Sequence, residues 1–124
     1  MQPFGYMRAG RLDEAIAMLR SDPDAKILAG GQTLLPAWKH GLNAPSKLID
    51  VQDLPELSGT AETCKTLSFG AMTRHATVAR LPLHEGSSKA LAALAAGIAD
   101  PQVRNLGTIG GSIANNDPDR KSVV

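Results

Sequence analysis

The sequence has 124 residues, the size of one ordinary domain, and its hydrophobic share of 43% is enough to build a core. With 13 basic and 12 acidic side chains the net charge is +1, which gives no electrostatic basis for binding nucleic acid or an anionic membrane. Aromatic residues are scarce, so we expect a core of Leu, Ile, Val and Ala. The single cysteine, Cys64, excludes a disulfide framework. No stretch is long enough for a membrane span or built like a secretory signal, so we expect a cytoplasmic protein.

The first fifty residues alternate between helix and strand patterns. Apolar residues at helical spacing predict an amphipathic helix over 12–20. The run 26–29 predicts a buried strand that ends at a pair of glycines, and 47–51 predicts a second strand. Between them, Thr33 can cap a short helix that Gly41 closes in left-handed geometry. This order favours a small parallel sheet with a crossover helix.

Beyond residue 53 the pattern changes. A weak alternation over 66–71 predicts an antiparallel or edge strand, 73–79 predicts a short helix, and the alanine-rich segment 88–99 predicts a longer one. We therefore divide the chain into subdomains 1–52 and 53–118, followed by a tail at 119–124.

Two glycine-rich turns carry the chemistry. The first comprises Ala29, Gly30, Gly31, Gln32 and Thr33, and the second comprises Thr108, Ile109, Gly110, Gly111 and Ser112. Adjacent glycines let the backbone approach a ligand, and successive N–H groups can converge on an anion as a nest. A hydroxyl and a following helix add further donors. Two such turns predict a site for a diphosphate, although each turn alone is equally explained by a sharp change of chain direction.

The two turns and their flanks resemble a known family. Residues 26–36 are similar to the first flavin-binding segment of the FAD subunits of molybdenum hydroxylases, and residues 98–105 with 107–115 closely resemble the second. Residues 48–50 and 70–75 also fit this pattern. The similarity is greatest to the medium subunits of aerobic carbon monoxide dehydrogenase-type enzymes, and it runs from about Phe4 to Pro118.

The resemblance implies a fold, a cofactor and partners. The fold would be α+β, of the vanillyl-alcohol-oxidase/PCMH type, with a small parallel α/β subdomain followed by an incomplete antiparallel-sheet subdomain. FAD would be the cofactor, with both glycine turns around its diphosphate and with Leu34 and Leu35 beginning the helix that points at the phosphates. Electrons would come from a molybdopterin large subunit through an iron–sulfur small subunit, and pass by way of the flavin to a quinone, NAD or oxygen. The resemblance implies no catalytic acid or base, because the flavin carries the redox step.

The last residues depart from the family. Where the family has an aspartate four residues after the position of Asp117, this sequence has Lys121. We therefore expect a truncated chain whose tail, 119–124, lies outside the family pattern and whose incomplete sheet favours homo-oligomers. Two alternatives to an electron-transfer subunit follow: a non-catalytic remnant that only associates with partners, and a module that binds nucleotide phosphates without redox chemistry.

Other reactive side chains have structural interpretations. His40, His75 and His84 have no carboxylate at ligand spacing, which predicts surface or helix-end histidines and no metal site. Trp38 is expected in the core. Arg104 can reach a phosphate or pair with Asp100.

Overall fold

We describe a computed structural model of the chain over residues 3–42, 44–81 and 87–116. The chain forms two compact units, Met1–Leu57 and Ser58–Val124. The predicted subdomain boundary lies at 52/53, a few residues before the division between these units. The predicted tail at 119–124, and His84, lie outside the described residues.

A three-stranded parallel sheet organises the first unit. Its strands are β1 (Gly5–Arg8), β2 (Lys26–Leu28) and β3 (Lys47–Asp50), in the order β1-β3-β2. Helix α1 (Leu12–Ser21) links the first two strands and α2 (Leu34–Lys39) the second and third, and a 3-10 turn follows at Pro55–Leu57. The predicted parallel sheet is confirmed. Strand β1 was not predicted, because all of its residues are exposed and no apolar alternation marks it.

The central position of β3 explains where the core lies. Ile49 is completely buried and pairs with Met7 of β1 on one side and Ile27 of β2 on the other. Strand β2 was predicted to be buried, which is wrong: it is an edge strand, and Ile27 is 38% exposed. In a sheet of three strands only the middle one has neighbours on both sides, so an apolar run does not ensure burial. Trp38 is buried as predicted, and its ring contacts Phe4 edge to face.

The described part of the second unit contains a small antiparallel sheet and four helices. Strands β4 (Thr60–Glu62) and β5 (Leu67–Phe69) form the sheet, and β5 confirms the predicted antiparallel strand. The helices are α3 (His75–Ala79), α4 (Ser87–Ala96), α5 (Pro101–Leu106) and α6 (Ile109–Asn115), of which α3 and α4 were predicted. Among the described residues, no helix is both long and apolar enough to cross a bilayer.

Helix α5 was not predicted, although its start has a recognisable sequence signal. Asp100 caps it by accepting a hydrogen bond from the Val103 N–H at 2.8 Å, and Pro101 occupies its first turn. An acidic cap followed by proline is a recognised start of a helix. This signal indicates that the chain enters the second glycine segment from a helix.

Candidate cofactor site

The first glycine turn follows an edge strand directly. At the end of β2, the Val51 N–H donates to the Leu28 carbonyl at 3.2 Å, just before the turn begins. Gly31 has a φ of +74°, a left-handed conformation that side chains rarely adopt. A Cβ at this position would also lie 3.0 Å from Leu35 Cδ1. The turn therefore needs glycine at residue 31 for its backbone angle, while a Cβ there would require only a small shift of the Leu35 side chain.

This turn leaves a run of backbone donors unused. Helix α2 begins with two hydrogen bonds back to the turn, from the Leu35 N–H to the Gly31 carbonyl at 3.2 Å and from the Ala37 N–H to the Thr33 carbonyl at 3.1 Å. The N–H groups of residues 30–34 have no acceptor within the part of the chain that the structure describes. Thr33 precedes α2, but its side chain makes no capping hydrogen bond. These five N–H groups and the Thr33 hydroxyl are free to bind an anion.

The second glycine segment has a different conformation from the one predicted. It is the first turn of helix α6, and Thr108 caps it by accepting a hydrogen bond from the Gly111 N–H at 3.1 Å. The Ile109 N–H donates to the Thr73 carbonyl at 2.9 Å, and the Gly110 N–H donates to the Ala71 carbonyl at 2.8 Å. The Ser112 N–H makes the ordinary helical bond to the Thr108 carbonyl at 3.1 Å. The prediction of a second nest of free N–H groups is therefore wrong.

Gly110 serves packing in this segment. A Cβ on Gly110 would lie 2.6 Å from the Cβ of Ala71, 2.7 Å from its carbonyl oxygen and 2.9 Å from its Cα. These distances are shorter than any non-bonded carbon contact, so only glycine lets α6 approach the loop after β5. The sequence left open whether this glycine serves a ligand or the packing of the chain. Its contacts with Ala71 support packing.

His75 and Ser112 meet in the second unit. His75 is the first residue of α3 and is only 6% exposed, and its Nε2 lies 3.1 Å from the Ser112 hydroxyl. The prediction of a helix-end histidine is confirmed, but the surface location is wrong for this residue. The ring is buried because α3 packs against α4 and α5 and because Gly107 and Ser112 lie against the imidazole. These are tertiary contacts that no local sequence pattern predicts.

The remaining candidate residues have structural roles. Arg104 donates from Nη1 to the carbonyls of Ile98 and Ala99, at 2.7 Å and 3.1 Å, so it fixes the loop between α4 and α5, and it forms no ion pair with Asp100. Cys64 is exposed, and so is His40 beyond α2. Among the described residues, no cluster of His, Cys, Asp and Glu could hold a metal ion.

Comparison with known proteins identifies the family. Residues 2–124 match the model of the FAD binding domain in molybdopterin dehydrogenase. The chain belongs to this family. The match confirms the predicted family and its cofactor, FAD, and its range includes the segment 119–124 that the sequence analysis set apart.

Individual relatives agree with this assignment. The carbon monoxide dehydrogenase medium chain of Hydrogenophaga pseudoflava is 44% identical over 116 residues, covering 93% of this chain and 40% of that protein. A solved structure of reconstituted CO dehydrogenase from Oligotropha carboxidovorans superposes with a TM-score of 0.88 at 36% identity, covering 94% of this chain and 41% of that one. Quinoline 2-oxidoreductase from Pseudomonas putida 86 gives 0.85 at 38% identity, covering 94% and 41%. The chain thus spans about 40% of the length of these relatives, and the fold class that was predicted is confirmed.

The residues of the first turn fit the diphosphate of FAD. A diphosphate is recognised by hydrogen-bond donors, and backbone N–H groups in a glycine-rich turn before a helix supply them without bulk. The unused donors at residues 30–34 meet this requirement. In the second segment the N–H groups of residues 109–112 already have acceptors, Thr108 is buried as the helix cap, and the Ser112 hydroxyl lies against His75 Nε2.

Proposed function

We propose that this chain binds FAD as part of the flavin-binding medium subunit of a carbon monoxide dehydrogenase-type molybdenum oxidoreductase. The observation that carries the proposal is the run of unused backbone donors at residues 30–34, in a chain of the FAD binding family. In this assignment, residues 1–52 and 53–118 are two FAD-binding subdomains.

The two segments have unequal parts in binding. In the first turn, which Ala29 begins, residues Gly30 to Leu34 supply N–H groups and Thr33 its hydroxyl to the diphosphate, and Leu34 and Leu35 begin the helix behind them. The segment from Thr108 to Ser112 has the smaller part, because its N–H groups bind the protein itself and Thr108 is buried as the cap of α6. Ile109, Gly110 and Gly111 fix the start of this helix through those hydrogen bonds.

The chain supplies binding and orientation. When bound, FAD supplies the redox chemistry, accepting electrons from one side of the complex and passing them to an external acceptor. We propose that the partners are a molybdopterin large subunit and an iron–sulfur small subunit. No residue of this chain needs to act as an acid or a base in that role.

Titration with flavins and nucleotides tests the proposal. FAD added to the 124-residue chain should be bound, which flavin fluorescence and equilibrium dialysis would measure. FMN has the same flavin but a single phosphate, so it should bind more weakly, and ADP should bind but less tightly than FAD. No binding of FAD would contradict the proposal. Equal affinity for ADP and FAD would favour the alternative of a nucleotide-phosphate module without redox chemistry.

A further inference from the structure

Several carbonyl groups in and beside the first glycine turn are held by protein donors, whereas the neighbouring N–H groups find no acceptor among the described residues. Backbone N–H groups donate to three of these carbonyls, those of Leu28, Gly31 and Thr33. The Gly30 carbonyl accepts instead from a side chain, the Nε2 of Gln32, at 3.2 Å. This arrangement suits an anion, because a carbonyl oxygen that faced the anion would repel it.

The hydrogen bond from Gln32 to Gly30 depends on one particular side chain. Backbone donors are present in any sequence that adopts this turn, but no backbone N–H donates to the Gly30 carbonyl within the described part of the chain. The amide nitrogen of Gln32 must face this carbonyl, since the amide oxygen has no hydrogen to donate. Loss of this side chain would therefore leave the Gly30 carbonyl without a protein donor.

The peptide group between Gly30 and Gly31 is the group that this hydrogen bond fixes. In a planar trans peptide the carbonyl and the following N–H point in opposite directions. Because the Gly30 carbonyl points toward the amide of Gln32, the Gly31 N–H is directed away from that amide. This N–H is one of the donors at residues 30–34 that have no acceptor among the described residues.

Rotation of this peptide would meet little steric resistance from the chain itself. It changes the ψ angle of Gly30 and the φ angle of Gly31, and neither residue has a Cβ. Turns of types I and II differ by such a rotation, with a φ of about −90° or about +80° at the residue that follows the peptide. Gly31 has a φ of +74°, so the peptide has one of two orientations that its backbone permits. The hydrogen bond from Gln32 favours this orientation over the other.

We propose that Gln32 is a positioning residue for FAD binding: by holding the Gly30 carbonyl, its side chain keeps the Gly31 N–H directed at the cofactor's diphosphate. The inference rests on the proposed function, and it gives the side chain of Gln32 an indirect part. Gln32 acts through the Gly30–Gly31 peptide, so its amide does not need to contact the cofactor. All of the groups involved lie within the first glycine turn.

Substitution of Gln32 tests the inference through FAD affinity. Gln32→Met has a side chain of similar length without a donor, and it should weaken FAD binding about fivefold, the factor that corresponds to a typical hydrogen bond. Binding of ADP should weaken by the same factor, because ADP carries the same diphosphate. Gln32→Glu keeps the shape but replaces the donor by an acceptor, so it should lose more than Gln32→Met. Gln52→Met makes the same exchange at an exposed position of the first unit and is the matched control, expected to bind FAD within twofold of the unaltered chain.

An NMR measurement separates positioning from folding. In the chain without FAD, the ¹³C resonance of the Gly30 carbonyl reports the hydrogen bond that it accepts, and it should move in Gln32→Met but not in Gln52→Met. The Gly31 amide resonance should shift when FAD binds to the unaltered chain, and it should shift less in Gln32→Met. Circular dichroism reports whether each variant is folded. If Gln32→Met does not fold, the same resonances in Gln32→Glu decide the question.

The outcomes distinguish this inference from the proposed function. If the unaltered chain binds FAD and both Gln32 variants bind it within twofold, Gln32 has no positioning role while the function stands. A loss of affinity with an unchanged Gly30 carbonyl resonance would also overturn the inference, as would a loss for FAD without one for ADP. If the unaltered chain binds no FAD, the proposed function fails and the inference fails with it.

Discussion

The two glycine-rich segments have nearly the same composition and use it for different purposes. In the first, Gly31 permits a left-handed turn, and the N–H groups of residues 30–34 find no acceptor among the described residues. In the second, Gly110 permits α6 to pack against Ala71, and the N–H groups of residues 109–112 all have protein acceptors. Adjacent glycines therefore indicate close backbone approach, but the approaching group can be a ligand or the protein itself.

Substitution of Gly110 should have the largest effect on stability. In Gly110→Ala the new methyl group would overlap Ala71, so α6 or the loop after β5 must move. We expect a loss of about 3 kcal/mol in the free energy of unfolding, the upper range for overpacking. Urea denaturation followed by circular dichroism measures it. Gly97→Ala is the control, since a Cβ there would meet nothing closer than 3.6 Å. Equal stability of the two variants would show that the close approach is not needed.

Gly31 and Gly41 form a matched pair for the first turn. They have φ values of +74° and +75°, but a Cβ on Gly41 would have no atom within 4 Å. Each change to alanine should cost about 1 kcal/mol of stability, because both place a side chain in left-handed geometry. Only Gly31→Ala should also weaken FAD binding, by about tenfold, which corresponds to the loss of one hydrogen bond to a charged group. Fluorescence titration of both variants checks this, and equal affinities would remove the first turn from the site.

The smallest expected effects concern the two threonines that precede α2 and α6, which differ in whether the hydroxyl caps the helix. Thr108 caps its helix and is buried, so Thr108→Ala should lose about 1 kcal/mol of stability. Thr33 makes no capping bond, so Thr33→Ala should stay within about 0.5 kcal/mol and should instead reduce FAD affinity. Unfolding curves and FAD titrations on the same two proteins separate these effects. A large loss of stability in Thr33→Ala would mean that its hydroxyl serves the fold.

Much of the fold follows from local pattern. The helices α1 and α4 have apolar residues at helical spacing, and 47–51 is an apolar run bounded by polar residues, so these elements could be predicted. The strands β1 and β4 could not, since their residues are exposed and they form only because a partner strand lies beside them. The family itself could be predicted, because the two glycine segments lie in specific sequence contexts.

The amino-acid sequence by itself determined the elements with strong periodicity, the parallel sheet of the first unit and the membership of an FAD binding family. Tertiary structure alone decided which glycine segment keeps its donors free, and that His75 is buried against Ser112. The physical reason is that a backbone N–H is satisfied by whichever acceptor comes near it. For Gly110 that acceptor is the carbonyl of Ala71, 39 positions earlier in the chain, and no local pattern of residues encodes such a contact.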